Sequence, residues 1–424
     1  MTDLPPQPPA GRSRLSRRAA LLLAAGGLAQ ASVPLLRPAA RPSAVPEAAR
    51  PGVRPVVEGL LAERAAALLR HDRAALAAGT APDAAQAQLA LLDRLAEVPF
   101  AELGYRITSF TEPPPEADRI VVAAELDHRL TDLDQYPAVV SRRLAFVRLP
   151  EGWRLAEDEP SGAPALWDLG PVRAVRGARC LVLGLAEQTE LATLAARADQ
   201  AVPAVGAVWG DAWPGRLLLE LPGSESEFAR LLDVQPESYQ GIAAVTVAVS
   251  GAPEHTPADR ILVNPEAYRG LSELGRRVVV THEATHVATR AYTRGWTPMW
   301  LSEGVADHTA YLDTGRSARQ IAPGLAQDVA AGRIPRTLPS DADFTAGAAR
   351  IGQAYELSWL ACGVIAREFG ERSLVRFYQD VGESGRPAAG ESPDAVLDRL
   401  LRGRLGIGVA DFTALWTAEA ARLA

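Results

Sequence analysis

Two short stretches of this sequence can act together only if the chain between them folds back on itself. The first is Thr281-His282-Glu283-Ala284-Thr285-His286, and the second is Trp300-Leu301-Ser302-Glu303-Gly304-Val305-Ala306-Asp307. On a helix, His282 and His286 leave the same face one turn apart, so two neutral imidazoles can converge on one small cation. Glu283 stands beside the coordination position that they leave open. A third ligand must come from elsewhere, and Glu303 is the nearest well-placed carboxylate. It follows His286 by 17 positions, enough for a turn and an antiparallel return. The pattern therefore asks for two packed helices around a zinc ion held by two histidines and a glutamate, with a fourth position left to water.

The flanking residues predict both helices. One runs from about Leu271 to Thr293 and closes near Gly295, with Val280, Ala284, Val287 and Ala291 toward the core and His282, Glu283 and His286 toward a cleft. The next starts with Thr297 as N-cap and Pro298 as its first residue, and it projects Glu303 and Asp307 from one face. Asp307 is placed to accept the outer N–H of a ligating imidazole, His282, which fixes its tautomer. The plainer alternative is a surface helix whose two histidines flank a salt-bridging glutamate, with Asp307 a solvated carboxylate.

Composition decides several other readings. The 44 basic residues are all arginines, a bias that goes with the alanine-rich sequence, so arginine clusters do not mark a nucleic-acid site. A net charge of -7 argues against nucleic acid as a partner as well. Cys180 and Cys362 both sit in apolar runs and are expected as buried free thiols, with a disulfide as the alternative. Arg12, Arg14, Arg17 and Arg18 precede an apolar run, Ala19 to Leu28, that ends in Ala29-Gln30-Ala31, an A-x-A cleavage pattern. Residues 1–31 thus resemble a twin-arginine export signal, which places the protein outside the cytoplasm, secreted or in the cell envelope. The alternative is an uncleaved segment that anchors it to a membrane.

Along the chain, 32–52 is a Pro/Ala-rich linker. Amphipathic helices are predicted over 56–78 and 84–95, then strands over 105–110, 119–126 and 143–149, the last turning at Pro150-Glu151-Gly152 into 153–155. Helices followed by an antiparallel meander make 53–162 an α+β domain. By element order it is similar to the NTF2-like (cystatin-like) families, which implies a role in holding a ligand or partner. His71, Asp72 and His128 are its polar candidates, each also readable as an ordinary surface group.

From Ala163 the pattern gives a strand (180–185), a helix (187–209), a strand (216–221) and a short helix opened by a Ser224/Glu227 capping box. Two further strand candidates, 243–249 and 260–264, precede the histidine-bearing helix, and by element order the first is the candidate edge strand for holding an extended peptide. Further helices are predicted over 354–369, 373–381, 394–401 and 411–423, with Phe377, Leu397, Leu400, Phe412 and Trp416 in the core.

The paired stretches resemble the gluzincins of the thermolysin-like peptidase MA clan, and most of all the bacterial peptidase-MA-like families with their Trp-Leu-x-Glu-Gly-x-Ala motif. The resemblance covers 163–424, with its specific motifs within 278–311. It implies an α+β zincin-like metallopeptidase in which His282, His286 and Glu303 bind Zn2+ and Glu283 is the general base acting on a peptide or protein substrate. Zinc lowers the pKa of its bound water to about 7, and Glu283 can take the proton as hydroxide attacks the scissile carbonyl. Tyr355 is the candidate donor to the oxyanion, on a helix expected to open at Ala354, with His308 as the second choice. The family gives His308 no inherited role. Two other readings stay open: an inactive binding or scaffold protein whose N-terminal domain does the work, and a zinc hydrolase of a non-peptide substrate.

Overall fold

The computed structural model describes residues 52–235, 241–248, 256–345 and 348–424. The expected export signal and nearly all of the linker lie outside the described residues. Among those residues no helix is long and apolar enough to cross a membrane.

Three helices lead in: α1 (Val53–Leu69), α2 (Arg73–Ala78) and α3 (Ala85–Arg94). The single helix expected over 56–78 is broken, because His71 takes a left-handed backbone (φ 53°) and Asp72 caps α2 by accepting the Ala75 N–H at 2.9 Å. Those two polar candidates serve a turn. Strands β1 (Phe100–Ser109), β2 (Arg119–Leu130), β3 (Ala138–Leu149) and β4 (Gly152–Pro160) form an antiparallel meander in chain order. β2 and β3 outrun the predicted strands because pairing continues through polar positions, with Asp127 opposite Val139 and His128 opposite Ala138. The inward positions Ile120, Val122, Leu144 and Phe146 pack on Val57 and Leu61 of α1.

After α4 (Leu166–Leu169) a second sheet forms from β5 (Arg173–Arg176), β6 (Cys180–Gly184), β7 (Leu217–Leu221), β8 (Ala244–Val247) and β9 (Arg260–Val263). Its order is β5-β6-β7-β9-β8, parallel through β6, β7 and β9 and antiparallel at the two edges. α5 (Gln188–Trp209) links β6 to β7, and α6 (Glu225–Leu231) follows β7. Ser224 caps α6 as expected, but the Glu227 carboxylate accepts from the Gly223 N–H rather than from Ser224.

Both faces of this sheet are covered, as parallel strands require. Cys180, Val182, Leu217 and Leu219 face a core shared with α5 and the later helices. Leu181, Leu183 and Leu218 face Leu68, Leu91, Leu126 and Trp167 from the N-terminal part. That cluster crosses the boundary expected at residue 163.

The rest is helical: α7 (Pro265–Arg269), α8 (Glu273–Thr289), α9 (Met299–Tyr311), α10 (Ala318–Ile321), α11 (Pro323–Ala330), α12 (Ile351–Phe369), α13 (Glu371–Ser384), α14 (Pro393–Leu405) and α15 (Val409–Ala421). Phe377, Leu397, Leu400, Phe412 and Trp416 are buried in the same core as α8. Cys180 and Cys362 are both free and buried, and burial pushes the Cys180 thiol up to about 12.

Candidate metal centre

α8 carries both histidines. Ser272 caps it, its hydroxyl accepting the Gly275 N–H at 3.1 Å. Val280, Ala284 and Val287 face the core as their period predicts. The helix stops at Thr289, however, where the Tyr292 and Thr293 N–H groups turn back onto the Thr289 carbonyl. Ala291 therefore lies beyond the helix and is exposed, and Gly295 does not close it.

α9 returns against α8, and its start differs from the sequence reading. Pro298 is the N-cap, while Thr297 Oγ1 accepts the Arg294 N–H at 3.0 Å and closes the loop instead. The first helical N–H, that of Met299, donates to Asp341 Oδ1 at 2.9 Å. A distant carboxylate thus does the capping expected of Thr297.

This packing brings His282, His286 and Glu303 together, all buried, with ligand atoms within 4.8 Å of one another. His282 Nε2 is 3.1 Å from His286 Nε2 and 3.2 Å from Glu303 Oε2, and His286 Nε2 is 3.5 Å from Glu303 Oε2. The other ring nitrogen of His282, Nδ1, lies 3.0 Å from Asp307 Oδ1. Both partners are carboxylates, which accept, so each contact is a hydrogen bond only where the facing ring nitrogen carries a proton; with a cation at Nε2 the proton stays on Nδ1, toward Asp307.

Burial would lower the His282 pKa, but hydrogen bonds to Asp307 and Glu303 and their negative charges raise it well above the ordinary value. For Glu303, burial would raise the carboxyl, yet the nearby His286 and the contacts with both imidazoles bring it down to about 2.

Zinc fits the same place. With Zn–N and Zn–O bonds of about 2.0–2.1 Å, tetrahedral ligands stand about 3.3 Å apart. The three observed separations, 3.1, 3.2 and 3.5 Å, bracket that edge. Glu303 Oε1 is buried and meets no donor among the described residues in full hydrogen-bond geometry, while Glu303 still interacts with the Tyr355 hydroxyl and raises its pKa.

Glu283 is fully buried next to the cluster, and burial raises its carboxyl above the ordinary range. Its Oε2 accepts from Thr246 Oγ1 of β8 at 2.7 Å, while Oε1 has no partner among the described residues. Tyr355, in the second turn of α12, packs its ring 6.2 Å from that of His282 and 5.4 Å from that of Phe344. Burial, then the charges of Glu303, Asp307 and Glu283 and a contact of its hydroxyl with Glu303, push its phenol well above 10, and among the described residues the hydroxyl has no partner in full hydrogen-bond geometry.

His308 is placed elsewhere. Its Nε2 is 3.1 Å from both carboxylate oxygens of Glu371 on α13, so it does not join the group. His128 is not a surface group either; it packs edge-on to Phe100 and Trp167.

Two contributors, Thr246 and Asp341, escape a reading of the motifs, and a third, Gly304, stands inside the second motif with no role read for it. Only Gly304 leaves a local trace, since a glycine inside a helix costs about 1 kcal/mol and marks a close approach. A Cβ there would stand 2.5 Å from the Ser358 carbonyl oxygen of α12.

No family model and no curated protein sequence matches the chain. Solved structures do match. One is a two-domain M1 zinc metallopeptidase variant bound to L-arginine, with TM-score 0.31 and 15% sequence identity over 76% of this chain and 69% of that one. Another is an M1 zinc metallopeptidase from Deinococcus radiodurans, with TM-score 0.32 and 16% identity over 75% of this chain and 69% of that one. A third is a variant of the Deinococcus radiodurans enzyme with a Tyr-Ser-Ala substrate, with TM-score 0.32 and 15% identity over 75% and 69%. Likeness at that level assigns neither family nor activity.

Proposed function

We propose that this chain is a zinc-dependent metallopeptidase, exported from the cytoplasm, with its catalytic part in 163–424 and an NTF2-like module in 53–162. One observation carries the reading: two imidazoles and a carboxylate converge at 3.1–3.5 Å, the edge lengths of a zinc tetrahedron. His282, His286 and Glu303 would hold the ion, and Asp307 keeps His282 in the tautomer that offers Nε2. Zinc supplies Lewis acidity there, easing deprotonation of water and balancing charge on a carbonyl oxygen.

The remaining chemistry belongs to the protein. Glu283 is buried, so it is a stronger base than an exposed carboxylate, and its free Oε1 can take a proton from an attacking water. Tyr355 keeps its proton at neutral pH and can donate it in a hydrogen bond to an oxyanion. β8, an edge strand whose Thr246 touches Glu283, is the candidate support for an extended peptide. Export rests on the arginine-flanked apolar run ahead of Ala29-Gln30-Ala31.

The test is metal analysis together with peptide-library cleavage, for wild type and for Glu283→Gln. About one zinc per chain is expected in both, with cleavage in the wild type alone. Wild-type protein that takes up no zinc overturns the reading. Zinc without hydrolysis of any peptide points instead to the binding-protein or non-peptide alternatives.

A further inference from the structure

Thr246 is the third residue of β8, and its side chain turns onto α8. Its hydroxyl lies 2.7 Å from Glu283 Oε2 and 3.2 Å from the Glu283 backbone carbonyl oxygen. Both partners are acceptors and the hydroxyl has a single proton, so the shorter contact, to the side-chain oxygen, takes it. Thr246 is itself buried and β-branched, which restricts χ1 and holds the hydroxyl in place.

A glutamate's last torsion is broad, so nothing intrinsic fixes the plane of its carboxylate. At Glu283 one oxygen is engaged, and the other, Oε1, is buried with no partner among the described residues. The backbone carbonyl of Glu283 is already committed to its helix, so the hydroxyl's side-chain contact is the one that discriminates between rotamers.

We infer that Thr246 is a positioning residue: by holding Oε2 it fixes the carboxylate plane of Glu283 and leaves Oε1 as the atom that receives the proton. This rests on the base role proposed for Glu283. In that role, Oε1 takes one proton from the water whose oxygen bonds to the carbonyl carbon. The same proton passes to the departing nitrogen as the C–N bond breaks, so Glu283 ends as it began. Because Thr246 lies on the edge strand, the orientation of the base depends on β8 staying in register beside α8.

Two variants test it, Thr246→Val, which keeps the shape and removes the hydroxyl, and Thr246→Ser, which restores it. On a peptide that the wild type cleaves, Thr246→Val is expected to lose about ten- to hundredfold in kcat with KM within about twofold. Zinc content should be unchanged, and Thr246→Ser should recover most of the rate. A crystal structure of Thr246→Val should show the Glu283 carboxylate rotated away from its wild-type plane. Wild-type kcat in Thr246→Val overturns the inference, and so does a loss that Thr246→Ser does not rescue. If the wild type cleaves no peptide, the peptidase reading fails, and the Glu283 rotamer in the Thr246→Val crystal still decides whether the hydroxyl holds the carboxylate.

Discussion

His128 shows how far one residue's chemistry depends on neighbours that the sequence does not name. Its ring centroid lies 5.9 Å from Phe100 and 5.1 Å from Trp167, both edge-on. Burial, then the positive charge of Arg260, push its pKa down from 6.5 to about 4. In the unfolded chain it protonates near 6.5, so between about 6.5 and 4 the unfolded state binds the extra proton, and stability falls as the pH falls. Replacing the ring removes that term. Between pH 7 and pH 4.5 the wild type should lose about 2–3 kcal/mol more unfolding free energy than His128→Phe, read from urea titrations at the two pH values. Parallel losses in the two proteins would show that His128 titrates in the fold as it does in water. The same contrast explains what was legible at this scale. His282, Glu283, His286 and Glu303 announce themselves through spacing along helices, whereas the surroundings of His128 come from β1 and α4, distant in the chain.

α9 and α12 cross at Gly304, the residue after Glu303. A Cβ there would lie 2.5 Å from the Ser358 carbonyl oxygen and 2.7 Å from Cys362 Sγ. Two effects oppose each other in Gly304→Ala. Helix propensity favours alanine by about 1 kcal/mol. Overpacking against backbone, which cannot rotate away, costs about 1–3 kcal/mol and displaces α9. The clash should win, with a lower melting temperature and, because Glu303 shifts with the helix, zinc affinity down about tenfold or more in a chelator competition. A variant that melts higher and binds zinc equally would show that α12 yields. The helices themselves were readable, since apolar residues recur with the helical period and Ser224 caps where it should. Their ends were less so. Thr297-Pro298 is a sound local start signal, yet the Met299 N–H finds Asp341, 42 positions on, and Thr297 closes the preceding loop. Spacing along one helix is local information; the partner that wins a cap is not.

At the scale of the whole chain, the sequence reads as two units in series, and the fold joins them. Leu181, Leu183 and Leu218 belong to near-continuous apolar strands, where a pattern cannot say which face meets which layer. They pack on the N-terminal helices and sheet, and a polar clamp reinforces the join. Asp134, just after β2, is fully buried and grips Arg260 of β9 through both oxygens at 2.9 and 3.0 Å. The same carboxylate accepts the Leu130 N–H at 2.9 Å and the Ala258 N–H at 3.0 Å, so one side chain ties the first sheet to the strand beside β8. Exposed ion pairs contribute little, but this one is shielded on both sides, and truncating one partner leaves the other charge buried and alone. Asp134→Ala should therefore destabilise the protein by about 3–5 kcal/mol. Since β9 pairs with both β7 and β8, the loss should reach the candidate metal centre. In urea, far-ultraviolet circular dichroism and zinc release should shift together to lower concentration, as one transition. If zinc release keeps its wild-type midpoint while part of the dichroism melts early, the N-terminal part is an independent appendage, and the shared cluster does not couple it to the site.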